Sequence, residues 1–156
     1  MAPARLARMD DLPALLALFA TCEVSPAARP PARAAAIWQE TMDSRFAHVF
    51  VAVAGQEIAA TSMLVTAPNI LREGRSHSFL ENVMTHPAWR GRGLGRSVVA
   101  AALAHAWTLD CHQVLLQSGR ADPRVYRFYE SAGFRPGLRT AYAAMRPIAG
   151  AAPGSA

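Results

Sequence analysis

Residues 81–96 read ENVMTHPAWRGRGLGR and join a predicted strand, Ser76–Thr85, to the most regular predicted helix of the chain, Gly93–Asp110. The junction holds three glycines and three arginines. Glycine permits a positive φ and lets the backbone approach a ligand closely, while the free N–H groups and the dipole at a helix start favour an anion. Because the arginines add formal charge at the same place, the segment predicts a phosphate-binding loop.

Two common nucleotide-binding motifs do not fit this loop. A dinucleotide-binding turn has the pattern G-x-G-x-x-G, whereas the glycines here are Gly91, Gly93 and Gly95. A P-loop contains a lysine, and all 16 basic residues of this chain are arginines. The spacing therefore disfavours both motifs and leaves another phosphate-bearing ligand.

The rest of the pattern predicts an α/β chain with the element order β-α-α-β-β-β-α-β-α-β. An antiparallel meander that leads into a β-α-β unit is typical of one central mixed sheet with helices on both faces. Besides the two elements named above, the predicted strands are Ala4–Met9, Val49–Val53, Ile58–Val65, Val114–Gln117 and Arg139–Arg146, and the predicted helices are Leu12–Phe19, Arg33–Asp43 and Pro123–Ala132.

Two motifs in this order carry a family resemblance. The pattern Arg90-x-x-Gly93-x-Gly95, between a strand and a long helix, resembles the R/Q-x-x-G-x-G/A signature of the GNAT N-acetyltransferases. About forty residues further on, the sequence YRFYESAGF at 126–134 is similar to the family's second signature, F/L-Y-x-x-x-G-F. The resemblance spans roughly residues 4–146 and implies the GNAT fold, with acetyl-CoA as the cosubstrate.

The resemblance also implies which residues hold acetyl-CoA. The backbone of Val83, Met84 and Thr85 would pair with the pantetheine arm, and one of their N–H groups would polarise the thioester carbonyl. Asp122 lies where relatives often have an asparagine that faces the cofactor, although it could simply cap the following helix. The loop that would wrap the pyrophosphate comprises Arg90, Gly91, Arg92, Gly93, Leu94, Gly95 and Arg96.

Acetyl transfer needs a deprotonated amine, a polarised carbonyl and a proton for the departing thiolate. Tyr129 matches the tyrosine that in many GNAT proteins supplies this proton; the alternative is a core aromatic with a satisfied hydroxyl. Glu81 is the best candidate for the base, because strand alternation groups it with Val83 and could turn both toward an acceptor cleft. The alternatives for Glu81 are a structural or substrate-binding role, with a water chain removing the proton.

Length and composition favour one folded domain. The chain has 156 residues, of which 52% are hydrophobic and 17% charged, and this argues against intrinsic disorder. We assign residues 1–146 to a single domain and residues 147–156 to a flexible tail. The net charge of +5 leaves a basic nucleic-acid-binding domain as the least favoured alternative. Because the arginines are spread along the chain, we expect no nucleic-acid partner.

Other features limit the compartment and the cofactors. Cys22 and Cys111 are too few for a disulfide framework, so we expect the reducing cytoplasm. The apolar stretch 12–20 is too short to cross a bilayer, and we expect no membrane association. Histidines, cysteines and carboxylates show no metal-ligand spacing, so no metal is expected.

The acceptor is the least determined part of the reaction. The short chain and the glutamate-bearing strand favour a primary amine of a small molecule, attacking acetyl-CoA directly in a ternary complex. The variable pocket would come from residues 20–45, 55–66 and 67–80. A non-catalytic acyl-CoA-binding or regulatory module on the same scaffold is the main alternative. We also expect a possible homodimer, because a sheet edge near Arg139–Arg146 would need covering.

Overall fold

A five-stranded sheet with the order β1-β2-β3-β4-β5 organises the chain. The computed structural model describes residues 3–22 and 25–146. Neighbouring strands are antiparallel from β1 to β4, and β4 and β5 are parallel. The elements in chain order are β1 (Arg5–Leu6), α1 (Leu12–Cys22), α2 (Pro31–Asp43), β2 (Ala47–Ala54), β3 (Glu57–Ala67), β4 (Ser76–Thr85), α3 (Leu94–Thr108), β5 (Cys111–Leu115) and α4 (Pro123–Ser131).

Helices cover both faces of the sheet, as the sequence predicts. Alternate residues of β2 point to opposite faces, so Phe50 packs with α3 on one side while Val51 packs with α1 and Trp38 of α2 on the other. The face of α3 that packs on the sheet is buried and comprises Leu94, Val98, Val99, Ala102 and Ala106. In residues 3–22 and 25–146, no helix is long and apolar enough to span a bilayer.

The ladder between β4 and β5 is short. Its last pair joins Phe79 to Leu115, and within the described residues no strand pairs with residues 80–85 of β4 on that side. After β5 the chain leaves the sheet and returns through α4. The divergence of the two strands creates the space in which the candidate site lies.

The predicted last strand, Arg139–Arg146, is wrong. These residues have no regular secondary structure and are exposed. Alternation alone cannot supply a neighbouring strand, and the two large apolar side chains of the segment, Tyr142 and Met145, are 89% and 84% exposed rather than packed. The sheet edge therefore belongs to β5, and a dimer contact through a strand at Arg139–Arg146 loses its basis.

Two smaller predictions also needed correction. The strand after α3 is Cys111–Leu115 instead of Val114–Gln117, because a positive φ of 51° at Asp110 turns the chain directly from the helix into the sheet. The first strand is limited to Arg5–Leu6. The predicted tail, 147–156, lies outside the described residues, and the single domain at 1–146 stays a prediction.

A bidentate ion pair fastens β1 to the start of α1. Arg5 Nη1 donates to Asp11 Oδ2 at 2.7 Å, and Arg5 Nη2 donates to Asp11 Oδ1 at 2.9 Å. The backbone N–H of Arg8 also donates to Asp11 Oδ2 at 2.7 Å. These bonds, first of all the one from Arg5, lower the pKa of the buried Asp11 carboxyl below its usual 3.8.

We predict that Asp11→Asn lowers the free energy of unfolding at pH 7 by about 1–3 kcal/mol, since hydrogen bonds to an ionised group are lost. A carboxyl with a lowered folded-state pKa stabilises the fold above its unfolded pKa, and the contribution disappears as the pH falls through the folded value. The difference between wild type and variant should therefore shrink below about pH 4 in urea titrations. The exposed neighbour Asp10, changed to Asn, is the control. A difference independent of pH would contradict the assignment.

Candidate active site

A cavity of about 1010 Å³ fills the space where β4 and β5 diverge. One wall is the unpaired part of β4, residues 80–85, and the floor is the loop that leads into α3. The facing wall comes from residues 117–120 after β5 and from α4. Unpaired strand edges carry free N–H and C=O groups, so this wall can bind an extended ligand through its backbone.

A β-bulge shapes β4 at the cavity wall. Thr61 pairs with Met84 and Met63 pairs with Glu81, so that two residues of β4 stand opposite one of β3. Asn82 in the bulge has a φ of 50°. Bulges re-aim side chains and are common beside active sites.

The bulge breaks the alternation that grouped Glu81 with Val83, and that grouping is wrong. Val83 packs against the same core cluster as Leu80, three residues earlier, while Glu81 is exposed. Both residues still line the cavity, as do Met84 and Thr85. A charged Glu81 can therefore meet a ligand without being buried in the core.

The glycine loop adopts the positive φ angles that its sequence suggests. Gly91 and Gly93 have φ values of 75° and 81°, and Gly93 is the N-cap of α3. As a glycine, the N-cap has no side chain to cap the N–H groups of the first turn. Leu94 lines the cavity although it is 1% exposed and packs into the core, so its contribution to a ligand would come from its backbone. The loop thus presents backbone amides at a helix N-terminus, which suits an anion.

The three loop arginines differ in position. Arg90 lines the cavity, and its Nε donates to the Thr85 carbonyl oxygen at 3.3 Å. Arg96 also lines it but donates to Ser131 O at 3.1 Å and to Ser131 Oγ at 2.9 Å, which ties α3 to α4. Arg92 does not line the cavity; its guanidinium stacks 4.7 Å from the ring centroid of Trp89.

Gly95 is required by packing. A Cβ added there would lie 2.8 Å from Thr85 Oγ1 and 3.5 Å from Phe128 Cζ. The end of β4, the start of α3 and α4 therefore meet at a point with no room for a side chain. The glycine of the motif therefore permits the close approach of three elements that all line the cavity.

Tyr129 lies on the facing wall and is half-buried. Its ring makes edge contacts with Phe128 and Phe134, at centroid distances of 5.0 and 5.9 Å. In the described part of the chain its hydroxyl makes no hydrogen bond, and it does not belong to the buried unpaired atoms, so it is accessible from the cavity. Burial raises its pKa, the guanidinium of Arg120 opposes this, and the carboxylate of Glu81 adds to it. The structure therefore brings the two predicted catalytic residues, Tyr129 and Glu81, to one cavity.

Asp122 is engaged in capping. Its Oδ1 accepts from the backbone N–H of Arg124 at 2.8 Å, and its Oδ2 accepts from Arg124 Nη2 at 3.0 Å. The hydrogen bond from the Arg124 side chain lowers the pKa of Asp122. Asp122 borders the cavity, but the helix-capping alternative accounts for its contacts.

The sequence did not predict that Cys22 and Arg120 lie at the cavity. Cys22, at the end of α1, places its Sγ 3.8 Å from the Thr85 carbonyl oxygen. Arg120 lies in the irregular segment after β5. Neither residue belongs to a motif, and only the tertiary structure places them at the cavity. In residues 3–22 and 25–146, no three His, Cys, Asp or Glu side chains cluster as a metal site would require.

The fold and the site define a class of α/β protein with a splayed parallel strand pair above a glycine loop. The model of the Acetyltransferase (GNAT) family matches residues 12–134. The match covers most of the chain, and the chain therefore belongs to the GNAT acetyltransferase family. Membership implies acetyl-CoA as the cosubstrate.

Two solved structures are similar to this chain over nearly its whole length. The structure of a protein from Agrobacterium tumefaciens strain C58, provisionally named an acetyltransferase, is 36% identical with a TM-score of 0.85, over 93% of this chain and 100% of that one. A protein from Bacillus halodurans C-125, crystallised as a transcriptional regulator, is 25% identical with a TM-score of 0.79, over 91% and 98% of the two chains.

Two curated relatives are named for the same substrate. The glucosamine 6-phosphate N-acetyltransferase of Trypanosoma brucei brucei is 31% identical over 78 residues, which are 50% of this chain and 51% of the relative. Glucosamine 6-phosphate N-acetyltransferase 1 of Oryza sativa subsp. japonica is 36% identical over 83 residues, which are 53% of this chain and 48% of the relative. The chain thus spans about half the length of the curated relatives it matches.

We predict that Gly95→Ala lowers the free energy of unfolding by about 1–3 kcal/mol, because the new methyl group collides with Thr85. The collision should also weaken acetyl-CoA binding in a calorimetric titration. Adding Thr85→Ala, which removes the colliding oxygen, should restore both quantities. Gly119→Ala is the matched control for stability, since a Cβ there meets nothing within 4 Å. Equal losses of stability in Gly95→Ala and Gly119→Ala would contradict this packing argument.

Proposed function

We propose that this protein transfers the acetyl group of acetyl-CoA to a primary amine of a small molecule by direct attack in a ternary complex. The observation that carries the proposal is the cavity itself. Its unpaired β4 wall runs from Glu81 to the glycine loop, and Tyr129 faces that wall. One end thus offers proton-transfer groups and the other end offers an anion site.

The residues present fit acetyl-CoA. The backbone of Val83, Met84 and Thr85 would pair with the pantetheine arm along the free strand edge. The amides of the loop from Gly91 to Arg96 would hold the pyrophosphate, with charge added by Arg90. Arg92 would act through its stacking on Trp89, which positions the loop, instead of by direct contact.

Acetyl-CoA supplies a thioester whose carbonyl carbon accepts a neutral amine, with formation of an amide and release of the CoA thiol. Tyr129 would give its phenolic proton to the departing sulfur. Because burial raises its pKa above the usual 10, the phenol stays protonated at neutral pH and is ready to donate. A backbone N–H of residues 83–85 would stabilise negative charge on the carbonyl oxygen.

Glu81 would accept the proton that the amine loses. Its carboxylate is exposed on the cavity wall and lies close enough to Tyr129 to raise the tyrosine pKa. An ammonium group entering the cavity would first pair with Glu81 and lose one proton to solvent through it, directly or by way of water. Glu81 would then accept the second proton, which the nitrogen loses as the amide forms. Release of that proton from Glu81 to solvent and reprotonation of Tyr129 from solvent complete the cycle.

The small-molecule acceptor has support from the two named relatives, whose substrate is an amino sugar phosphate. Cys22 and Cys111 are both free thiols, in keeping with the reducing cytoplasm as the site of the reaction. The alternative is a regulatory module that binds acetyl-CoA without turnover, which the name of the Bacillus halodurans protein brings into consideration. Incubation with acetyl-CoA and a panel of amines, with detection of free CoA thiol, separates the two. Binding without thiol release for any amine would contradict the enzyme.

We predict that Tyr129→Phe lowers kcat by about 100-fold or more while the Kd for acetyl-CoA stays unchanged, because only a proton donor is removed. Tyr126→Phe on the same helix is the matched control, since Tyr126 is 47% exposed and does not line the cavity. Thiol release at saturating acceptor gives kcat, and calorimetry gives Kd. An unchanged kcat for Tyr129→Phe would remove the tyrosine from the mechanism.

A further inference from the structure

Arg120 stands apart from the other arginines of the cavity. Arg90 donates to the Thr85 carbonyl oxygen, Arg96 donates to Ser131, and Arg124 is paired with Asp122 at 3.0 Å. Among the described residues the guanidinium of Arg120 has neither a hydrogen-bond acceptor nor a carboxylate partner, although the residue lines the cavity. An unpaired guanidinium that lines a cavity can donate two parallel N–H hydrogen bonds to a phosphate or a carboxylate.

The position of Arg120 separates it from the phosphate end of the site. Glu81 lies four residues before Thr85 on the cavity wall, and the glycine loop begins only beyond Thr85. Arg120 belongs to the wall that faces β4, which also carries Tyr129, and not to the glycine loop. The charges of Arg120 and Glu81 both act on Tyr129, in keeping with a place for Arg120 beside the reacting groups.

A carboxylate and a guanidinium, those of Glu81 and Arg120, both line the cavity. Glu81 is the acid group there, while Asp122, the other carboxylate on the wall, is paired with Arg124. Glu81 can receive an ammonium and Arg120 can receive an anion. An acceptor with an amine at one end and an acid group at the other would satisfy both charges together.

We propose that the acceptor carries a phosphate or carboxylate in addition to its amine, and that Arg120 binds this acid group and determines acceptor specificity. The assignment rests on the proposed acetyltransferase function and names its substrate class. Arg120 orients the acceptor so that its amine reaches Glu81 and the thioester. The residue takes no part in the proton transfers.

The test compares matched amines with and without the acid group. Glucosamine 6-phosphate and glucosamine form the phosphate pair, and phenylalanine and phenylalanine amide form the carboxylate pair. Arg120→Gln should raise KM at least about tenfold for the acid-bearing member of the productive pair and leave the KM of the neutral member unchanged. Arg120→Lys should restore part of the loss. Arg127→Gln, an equal charge change on an exposed residue away from the cavity, is the control.

The outcomes are distinguishable. A selective KM increase supports the assignment, and the responding pair identifies phosphate or carboxylate. An equal increase for acid-bearing and neutral amines, or an unchanged KM for both, overturns it. A weaker Kd for acetyl-CoA in Arg120→Gln also overturns it, since the arginine would then serve the cofactor. Binding of acetyl-CoA without thiol release from any amine in wild type refutes the proposed function itself and the assignment with it.

Discussion

The early end of the β4–β5 ladder is the constraint on which the rest of the site depends. Pairing stops at Phe79 and Leu115, and from there β4 continues for six residues along an open cavity. Backbone N–H and C=O groups that leave water need partners, so a free strand edge in a cleft favours a ligand that can pair with it. An uninterrupted ladder would close the cavity and leave no route to the glycine loop.

Two local features keep this opening in shape. The bulge in β4 lets Leu80 and Val83 both pack into the core while Glu81 stays at the cavity. At the other end, Gly95 allows α3 to approach Thr85 and Phe128 closely. The same strand, β4, therefore carries Glu81 and leads into the anion-binding loop. Leu80 and Val83 fix this strand by packing against the core.

Sequence reasoning reached the parts of the site that depend on local chemistry. The glycines and arginines of 90–96 indicated an anion site through their own chemistry at a helix start, whereas Tyr129 was assigned through the resemblance of the second signature to that of the GNAT proteins. Glu81 was correctly placed on β4, but the face to which it turns could not be derived. A one-residue bulge reverses alternation, and nothing in the residue types of 81–83 marks it.

The remaining differences arise from tertiary contacts. Arg120 reaches the cavity because the irregular segment after β5 borders it, and no local pattern predicts the path of that segment. The alternating residues Arg139–Arg146 would form a strand only if a partner were available, and the described structure places them in solvent instead. Local propensity thus predicted the helices and inner strands well and failed where a segment depends on what lies beside it.

Amide hydrogen exchange along β4 tests the central claim most directly. If the free edge of β4 pairs with acetyl-CoA, saturating acetyl-CoA should slow exchange at one or more amides of residues 83–85 and at the first turn of α3. Amides between β2 and β3, already paired in the sheet, should change little. Saturation with acetyl-CoA that leaves exchange at residues 83–85 unaltered would contradict the account.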